Sequence, residues 1–164
     1  MNGGAGPAGD PPWLSATSQA WVAQLLRSHQ EAFGGPLWAG AGPGRDPRQA
    51  AQELFAAATV VLAHDGSADP RFVYANRAAL SLWRRSWGEM VGMPSRLSAA
   101  SAERGERNIA LARARQQGIR SYAGVRVDSR GQRFRVEGAR LWTMHDAQGA
   151  AIAQAAAFNQ WWWL

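Results

Sequence analysis

The chain has 164 residues, of which 46% are hydrophobic, and nine of them are tryptophans. This is enough for one folded domain with a substantial core and extensions at its ends. The 18 basic residues, all arginine, outnumber the 12 acidic ones and give a net charge of +6. The absence of cysteine excludes disulfides, thiolate metal sites and cysteine nucleophiles.

Nothing in the sequence indicates a membrane segment or an export signal. No run approaches the roughly 18 apolar residues of a membrane helix, and neither the charge nor the apolar segment of a secretory signal precedes Arg27. We therefore expect a cytoplasmic protein. The arginines are dispersed, with Arg84-Arg85 as the one adjacent pair. A nucleic-acid interface clusters its basic residues, so nucleic acid is not the expected partner.

The first part of the chain divides into a disordered end, a helix and a linker. Residues 1–15 consist mainly of glycine, alanine and proline, have little apolar surface to bury and are predicted to be disordered. Residues 16–46 hold a helix over 17–33, which ends at a glycine suited to a left-handed C-cap, and then a Gly/Pro linker. The apolar stripe of the helix consists of Trp21, Val22, Leu25, Leu26, His29 and Phe33.

The main domain is assigned to residues 47–160 and begins with a second helix. Asp46 and Pro47 are typical of a helix start, with the aspartate as N-cap and the proline at the first helical position. The continuous apolar run over residues 59–63 predicts a buried strand. Residues 64–70 are turn-forming throughout, which predicts a tight connection to the next strand.

The centre of the chain, residues 71–92, predicts a strand followed by a capped helix. Residues 71–74 are aromatic and β-branched and predict the strand. Asn76 is a good N-cap for the helix that follows. One face of this helix carries, at helical spacing, Ala79, Leu80, Trp83 and Trp87.

The second half of the chain predicts one helix and three antiparallel strands. A helix over residues 102–117, capped by Ser101, has a weak apolar face and is predicted to lie on the surface. A Trp-rich tail, residues 161–164, is placed outside the domain, because three consecutive aromatic residues cannot all point inward from one strand. The strands cover residues 121–127, 132–144 and 151–158, with turns at 129–131 and 146–149 and a bulge near Gly138.

Short motifs follow one another along the chain in an informative order. They are His64-Asp65, Ala68-Asp69-Pro70, Phe72, Tyr74-Ala75-Asn76-Arg77-Ala78-Ala79-Leu80, Trp87, Pro94-Ser95-Arg96, Glu106-Arg107, Tyr122, Gly124-Val125-Arg126, Gly131, Arg133-Phe134, Trp142, Gln154-Ala155-Ala156 and Phe158. In this order and spacing they resemble the MEKHLA family, a PAS-like domain found as stand-alone bacterial proteins and at the end of certain plant homeodomain-zipper transcription factors. The resemblance covers about residues 18–161 and is nearer to the bacterial type.

The resemblance implies an α+β fold with a PAS-like five-stranded antiparallel sheet in the order 2-1-5-4-3. Helices would lie over one face, in addition to the N-terminal helices. It also implies a sensory or regulatory module rather than an enzyme, with any ligand held between the sheet and the helices. The candidate pocket residues on the predicted elements are Phe72, Tyr74, Trp83, Tyr122, Arg126, Phe134, Trp142 and Gln154.

Arg126 is the most informative of these candidates. It lies four residues after Tyr122 on one predicted strand, so the two side chains share a face. A buried arginine needs a carboxylate or another acceptor. Arg126 therefore either receives an anionic or carbonyl-bearing ligand, or forms an internal ion pair, or lies in solvent.

Two His-Asp pairs, His64-Asp65 and His145-Asp146, have the residue types of a metal site or an acid/base pair. Both pairs lie at predicted strand ends, where aspartate is common for structural reasons. In the implied sheet they are two strands, roughly 9–10 Å, apart, whereas a shared metal needs both imidazoles at about 2 Å. We therefore expect structural turns, with no metal and no catalytic residues.

The residue types present disfavour two kinds of cofactor used by light and redox sensors. A covalent flavin adduct or a chromophore thioester needs a cysteine, and the chain has none. A haem needs an axial ligand such as histidine, and the helix over residues 102–117 contains no histidine. Both cofactors are disfavoured, which leaves a non-covalent flavin or a small organic ligand.

Three functional hypotheses follow. The first is a sensory or regulatory module that binds a small ligand or a protein partner. The second is a ligand-free protein-interaction or dimerisation module, which the helix over residues 17–33 and the Trp-rich tail favour. The third is a small enzyme that uses His64 or His145, for which no nucleophile, base and orienting group can be assembled.

Overall fold

A computed structural model of the protein describes residues 9–41, 44–100, 103–114 and 118–164, without the side chains of Glu106 and Ala114. The helices are α1 (Ala16–Phe33), α2 (Pro47–Ala56), α3 (Arg77–Trp83), α4 (Trp87–Met90) and α5 (Arg104–Ala114). The strands are β1 (Val60–Asp65), β2 (Phe72–Ala75), β3 (Ile119–Val127), β4 (Arg133–His145), β5 (Ala151–Phe158) and β6 (Gln160–Trp163). Short 3-10 helices occupy Pro12–Leu14 and Ser95–Ser98. None of the helices described is long and apolar enough to cross a membrane.

The strands form one antiparallel sheet in the order β2-β1-β5-β4-β3, which confirms the predicted fold class and strand order. A sixth strand is added by the predicted tail. After a break at Asn159, β6 continues along the same edge of β4 that β5 uses, with Trp162 opposite Arg135 and Trp163 opposite Phe134. The tail is thus part of the sheet, because alternation along β6 sends Trp162 to one face and its two neighbours to the other.

Helices cover both faces of the sheet and divide the core in two. One cluster joins α1 and α2 to Val61, Tyr74 and Trp142, and its side of the sheet is here called the outer face. The other cluster joins α3 to Leu62 and Phe134, on the inner face. The N-terminal helices therefore complete the fold by burying the face that the remaining helices leave uncovered.

The first helix, α1, is held against the outer face by its predicted apolar stripe. It begins where the Ser15 hydroxyl accepts a hydrogen bond from the Ser18 amide, at 3.1 Å, and it ends at Gly34 with φ of 70°. Val22 and Leu25 are completely buried. The stripe that was expected to form a homodimer is thus covered by the protein's own sheet.

Residues 9–15, directly before α1, are folded onto the domain, which differs from the disorder predicted for residues 1–15. Trp13 stacks on Phe55 of α2 with their ring centroids 3.9 Å apart, and Leu14 is buried. These two side chains supply the apolar area that orders the segment. The predicted linker is also packed, since Leu37 and Ala41 are buried in the outer cluster. Residues 1–8 lie outside the part of the chain described.

The central helix is shorter than its apolar pattern predicts. It ends at Trp83, because Arg84 adopts a left-handed conformation with φ of 53°. A new helix, α4, starts at Trp87, with Ser86 and Glu89 forming a capping box. Trp83 consequently packs in the inner cluster while Trp87 packs in the outer one, so the two do not share a face.

The helix predicted over residues 102–117 is present as α5 in the part described. Its expected cap, Ser101, lies outside the described residues. Ile109 is exposed, as the weak apolar face predicts, but Arg107 and Ala110 are buried. The helix therefore packs on the fold through a narrow side, and this side faces the inner surface of the sheet.

Candidate functional site

A cavity of about 50 Å³ lies between the inner face of the sheet and α5. Most of its wall is hydrocarbon, supplied by every strand of the sheet from β1 to β5 and by the end of α5. The main apolar side chains of this wall are Leu62, Phe72, Leu111, Val136, Leu141 and Phe158. The polar side chains are His64, Ser98, Arg107, Tyr122, Arg126 and Gln154. A few polar groups in an apolar cavity are typical of small-molecule sites.

Arg107 enters this cavity from α5 and is almost completely buried, with 6% of its surface exposed. Its guanidinium donates to the hydroxyl of Ser95 at 2.6 Å and to the side-chain oxygen of Asn108 at 3.3 Å. Both acceptors are neutral. Burial lowers the pKa of Arg107 to about 10, and the positive charges of Arg126 and Arg104 act in the same direction.

Arg126 and Tyr122 form a pair on β3, as their spacing predicts. One guanidinium nitrogen of Arg126 donates to the Tyr122 hydroxyl at 3.0 Å, and the other donates to the Val125 carbonyl at 2.9 Å. The pair lies over Gly124. A Cβ atom at that position would be 2.3 Å from the Tyr122 hydroxyl oxygen, so only glycine leaves room for this arrangement.

Gln154 joins the floor of the cavity to its cover. Its side-chain amide donates to the Leu111 carbonyl in α5 at 2.8 Å, and it lies 3.4 Å from the Thr143 hydroxyl on the neighbouring strand. The main-chain oxygen of Leu111 is accessible because it belongs to the last turn of the helix, where carbonyls lack helical partners. Gln154 thereby fixes the end of α5 above the sheet.

The structure brings five of the eight predicted pocket residues together around the cavity. These are Phe72, Trp83, Tyr122, Arg126 and Gln154. Phe134 lies on the same inner face but fills the core beside the cavity, where its ring centroid is 5.0 Å from that of Trp83. Tyr74 and Trp142 belong to the outer cluster and do not contact the cavity.

Tyr74 lies on the outer face because of a bulge in β2. Ala63 pairs with Tyr74, but the next residue of β1, His64, pairs with Phe72. The extra residue in β2 reverses the alternation of its side chains. Phe72 therefore points into the inner cluster while Tyr74, two positions later, packs edge-on against Trp87 at 5.7 Å.

Trp142 is displaced to the outer face in the same way, by a bulge in β4. Two steps along β3, from Tyr122 to Gly124, match three steps along β4, from Ala139 to Val136. The sequence predicts this bulge near Gly138, but not its consequence for the side chains. After the bulge the even positions face outward, so Trp142 donates its indole N–H to Ser28 of α1 at 2.8 Å.

The interpretation of the sequence missed Arg107, the most deeply buried charge of the cavity. Glu106-Arg107 is one of the motifs of the family resemblance, and a second signal is the place of Arg107 in the helix. Ala110 and Leu111 lie three and four residues after Arg107 and share its face of the helix. Arg107 is therefore on the narrow side of α5 that packs on the sheet. Arginine is mostly exposed in proteins, so the pattern by itself does not indicate that Arg107 is buried.

The two histidines with neighbouring aspartates do not form a common site. His64 lines the inner cavity, and its Nδ1 lies 2.9 Å from the Asp65 carbonyl, whereas His145 is exposed. His64 pairs with Gln154 and His145 pairs with Ala151, so they are separated along β5 as well as across it. No group of three metal-binding side chains occurs within the residues described.

Comparison with known families and structures gives the same fold. The family model of the MEKHLA domain matches residues 19–163, almost the whole chain. The chain belongs to the MEKHLA family. No curated protein sequence matches it.

Solved structures similar to this MEKHLA domain are PAS-type sensor domains. A PAS domain from Colwellia psychrerythraea has a TM-score of 0.60 and 11% identity, over 67% of this chain and 92% of that one. An RNA-binding light-oxygen-voltage receptor has a TM-score of 0.60 and 20% identity, over 76% of this chain and 35% of that one. A light-oxygen-voltage domain studied with a flavin analogue has a TM-score of 0.53 and 15% identity, over 71% and 84% of the chains. At these identities the likeness shows the fold.

A flavin does not fit the cavity of this MEKHLA domain. The chain has no cysteine to form a covalent adduct. The cavity of about 50 Å³ is also far smaller than the roughly 300–1,000 Å³ that drug-sized ligands occupy. The side chains of Trp83 and Tyr122 are among those that reduce its volume. The cavity matches a much smaller molecule.

Proposed function

We propose that this MEKHLA domain is a sensory or regulatory module that binds a small organic ligand in the cavity between the inner face of the sheet and α5. The family and the PAS-type fold support the sensory class. The cavity supports the ligand, because it is mainly apolar and contains a small number of converging polar groups. A binding module is favoured over an enzyme, since the hydrogen bonds described for Arg107, Arg126 and Gln154 go to hydroxyl, amide and main-chain oxygens and do not assemble a nucleophile, a base and an orienting group.

The observation that carries the proposal is the way in which α5 covers the cavity. It is held by the Arg107–Ser95 and Gln154–Leu111 hydrogen bonds, by those of Arg104 to the Arg96 and Ala99 carbonyls, and by a small apolar contact of Ala110 with Leu141. Ile109 on the same helix is 65% exposed. A cover held by a few such contacts can be repositioned at moderate cost, since a neutral hydrogen bond such as Gln154–Leu111 contributes about 0.5–1.5 kcal/mol and one from a charged group such as Arg107 about 1.5–3 kcal/mol. We expect a ligand to change the position or order of α5, and partners to recognise that change.

The test is a thermal-shift screen of small neutral and charged molecules, followed by NMR titration of the labelled protein. Binding at the proposed place should be abolished by Ala156→Leu, because Ala156 lines the cavity between Leu62 and Leu141. The matched control is Ala112→Leu, which adds the same atoms to the exposed side of α5. No stabilising molecule in the screen, or equal binding by the Ala156→Leu variant, would contradict the proposal.

A second candidate function, protein interaction, is supported by β6. The side chains of Trp161, Trp162 and Trp163 are 37%, 47% and 39% exposed. Tryptophan is enriched in protein interfaces, and exposed indoles have a measurable cost in solubility. Sedimentation velocity of the full chain and of a Trp162→Ser variant would test this. A monomer at high concentration in both proteins would contradict self-association.

A further inference from the structure

The inner cavity contains two arginines, and none of the described side chains offers them a carboxylate partner. Arg107 and Arg126 both line it, and each donates only to neutral oxygens. Among the described side chains, the ion pairs within 4 Å involve other arginines, such as Arg84 with Asp128 and Arg133 with Glu103. Arg107 is buried and Arg126 is partly buried. Buried charges are normally paired, so the lack of an acidic partner among the described side chains requires an explanation.

Neighbouring residues hold the two arginines in position. Arg126 is held by the Tyr122 hydroxyl and by its contact with the Tyr122 ring, whose centroid is 5.3 Å from the guanidinium carbon. Gly124 provides the space for both side chains. Arg107 is oriented by the buried Ser95 at 2.6 Å. Each guanidinium has five N–H groups, and the hydrogen bonds named here use two of them in Arg107 and two in Arg126.

Most of the remaining cavity wall is apolar, and this restricts the kind of anion. Leu62, Val136, Leu141 and Phe158 offer no hydrogen-bond donors to a ligand. A tetrahedral dianion such as phosphate would leave several of its oxygens against hydrocarbon, which is costly. A ligand with a planar anionic group and a hydrocarbon part matches both the arginines and the apolar wall. Arginine binds planar carboxylates with two parallel hydrogen bonds.

The volume of the cavity restricts the length of the ligand. One water-sized group needs about 10–15 Å³ of cavity volume. The cavity of about 50 Å³ therefore holds roughly four groups. This corresponds to a carboxylate with a chain of two to four carbons in all.

We propose that the ligand of the inner cavity is a short-chain carboxylate, bound through its carboxylate by Arg107 and Arg126 and through its hydrocarbon part by Leu62, Val136 and Leu141. This inference rests on the proposed function, of which it specifies the ligand class. Binding offsets one of the two positive charges and adds a charged acceptor for Arg107, a residue of α5. The ligand thereby links α5 to β3 directly. Occupation of the cavity can then change the position or order of α5, which partners can recognise.

The first experiment compares propionate with propionamide on the native full chain by NMR titration of the labelled protein. The two molecules have the same shape and differ in charge. Propionate should bind with an affinity at least about tenfold higher, because hydrogen bonds to a charged group contribute about 1.5–3 kcal/mol each. Inorganic phosphate is the third ligand, and it should not compete with propionate.

The variants Arg107→Gln and Arg126→Gln should each weaken propionate binding about tenfold or more. The matched control is Arg113→Gln, which removes an exposed arginine from the same helix and should leave the affinity unchanged. Near-UV circular dichroism establishes that each variant is folded. The comparison of propionate with propionamide needs no variant and remains decisive if one of them does not fold.

The outcomes separate this inference from the proposed function. Equal binding of propionate and propionamide, or binding of other neutral molecules alone, overturns the carboxylate inference and leaves the ligand-binding module in place. Binding of phosphate in preference to propionate also overturns it, in favour of an inorganic anion. If neither carboxylates nor neutral molecules bind in the cavity, both proposals are overturned.

Discussion

His29 of α1 accepts a hydrogen bond from Arg140 of β4, with 2.6 Å between His29 Nε2 and the guanidinium nitrogen. The other ring nitrogen of His29 lies 2.8 Å from the Gly35 carbonyl. A carbonyl only accepts, so Nδ1 carries the proton and Nε2 is the acceptor for Arg140. The neutral imidazole in this tautomer therefore joins α1 to the outer face of the sheet.

This contact predicts that the protein loses stability as the pH falls. Burial lowers the pKa of His29 below its ordinary value of 6.5, and the charges of Arg140 and Arg120 lower it further. The unfolded chain then binds more protons than the folded one, so the free energy of unfolding rises with pH. The contribution of His29 to the free energy of unfolding should be complete above about pH 6.5. It should decrease as the pH falls towards the lowered pKa that His29 has in the folded protein.

Urea unfolding between pH 7.5 and 5 measures this effect. His29→Gln removes the titrating group and should flatten the pH dependence, whatever its effect on stability at neutral pH. His145→Gln is the control, because His145 is exposed at the end of β4. An unchanged pH dependence in the His29→Gln variant would show that other groups cause the loss of stability.

Trp83 is predicted to be a main contributor to the stability of the inner core. It is 1% exposed, donates its indole N–H to the Ser98 carbonyl at 3.3 Å, and packs against Phe134. Trp83→Ala should lower the free energy of unfolding by about 3–5 kcal/mol, the range for burial of this size. Trp162→Ala, on the exposed strand β6, should cost much less. Similar midpoints for both variants in urea would place Trp83 outside the core.

Asn76 is predicted to be irreplaceable because all of its side-chain groups are bonded. Its oxygen accepts from the amides of Val61 and Ala79, at 3.0 and 3.2 Å. Its nitrogen donates to the carbonyls of Leu54 and Thr59, at 3.1 and 2.7 Å. One buried side chain thus caps α3 and ties it to β1 and to the end of α2.

Both Asn76→Ala and Asn76→Asp test this role. The alanine variant leaves the buried partners of Asn76 without a bond, which should cost about 3 kcal/mol or more in all. The aspartate variant should be worse at neutral pH, because its second oxygen faces two carbonyls. Asn159→Ala is the control, since Asn159 is exposed and accepts only from Thr59, and it should cost less than about 1 kcal/mol. Equal costs for Asn76→Ala and Asn159→Ala would contradict the prediction.

The sequence predicts the parts of the fold that depend on local signals. The N-cap at Asn76, the start of α2 at Pro47 and the end of α1 at Gly34 all follow from residues with a specific backbone or hydrogen-bonding preference. The strand order follows from the family resemblance and from the succession of elements. Predicting these features does not require knowing which residues contact each other in the folded protein.

The composition of the cavity depends on alternation, and a bulge in β2 and a bulge in β4 decide which of the predicted residues line it. Phe72 and Tyr74 are two residues apart on β2, and Phe134 and Trp142 are an even number apart on β4, so simple alternation places each pair on one face. A bulge between the members of each pair separates them. A bulge is a matter of register with the neighbouring strand, so one strand's sequence does not reveal its effect.

Gly138 tests the physical basis of the second bulge. Its φ is +61°, a conformation that is unfavourable for residues with a Cβ atom by roughly 1–2 kcal/mol. A Cβ atom there would meet no other atom closer than 4.0 Å, to the side chain of Gln160. The cost of a substitution is therefore the backbone conformation alone. We predict that Gly138→Ala lowers the free energy of unfolding by about 1–2 kcal/mol, and Gly138→Asn by less, because asparagine tolerates this region.

The matched control is Gly105→Ala in α5. Gly105 lies in a helix with ordinary backbone angles, and a Cβ atom there would contact nothing within 4 Å. The same chemical change should therefore raise stability by about 0.5–1 kcal/mol, because alanine is the better helix former. Chemical denaturation of the three variants gives the comparison. If Gly138→Ala is as stable as the native protein, the bulge does not depend on the glycine, and its position must be set by the packing of Val136 and Ala139 on either side.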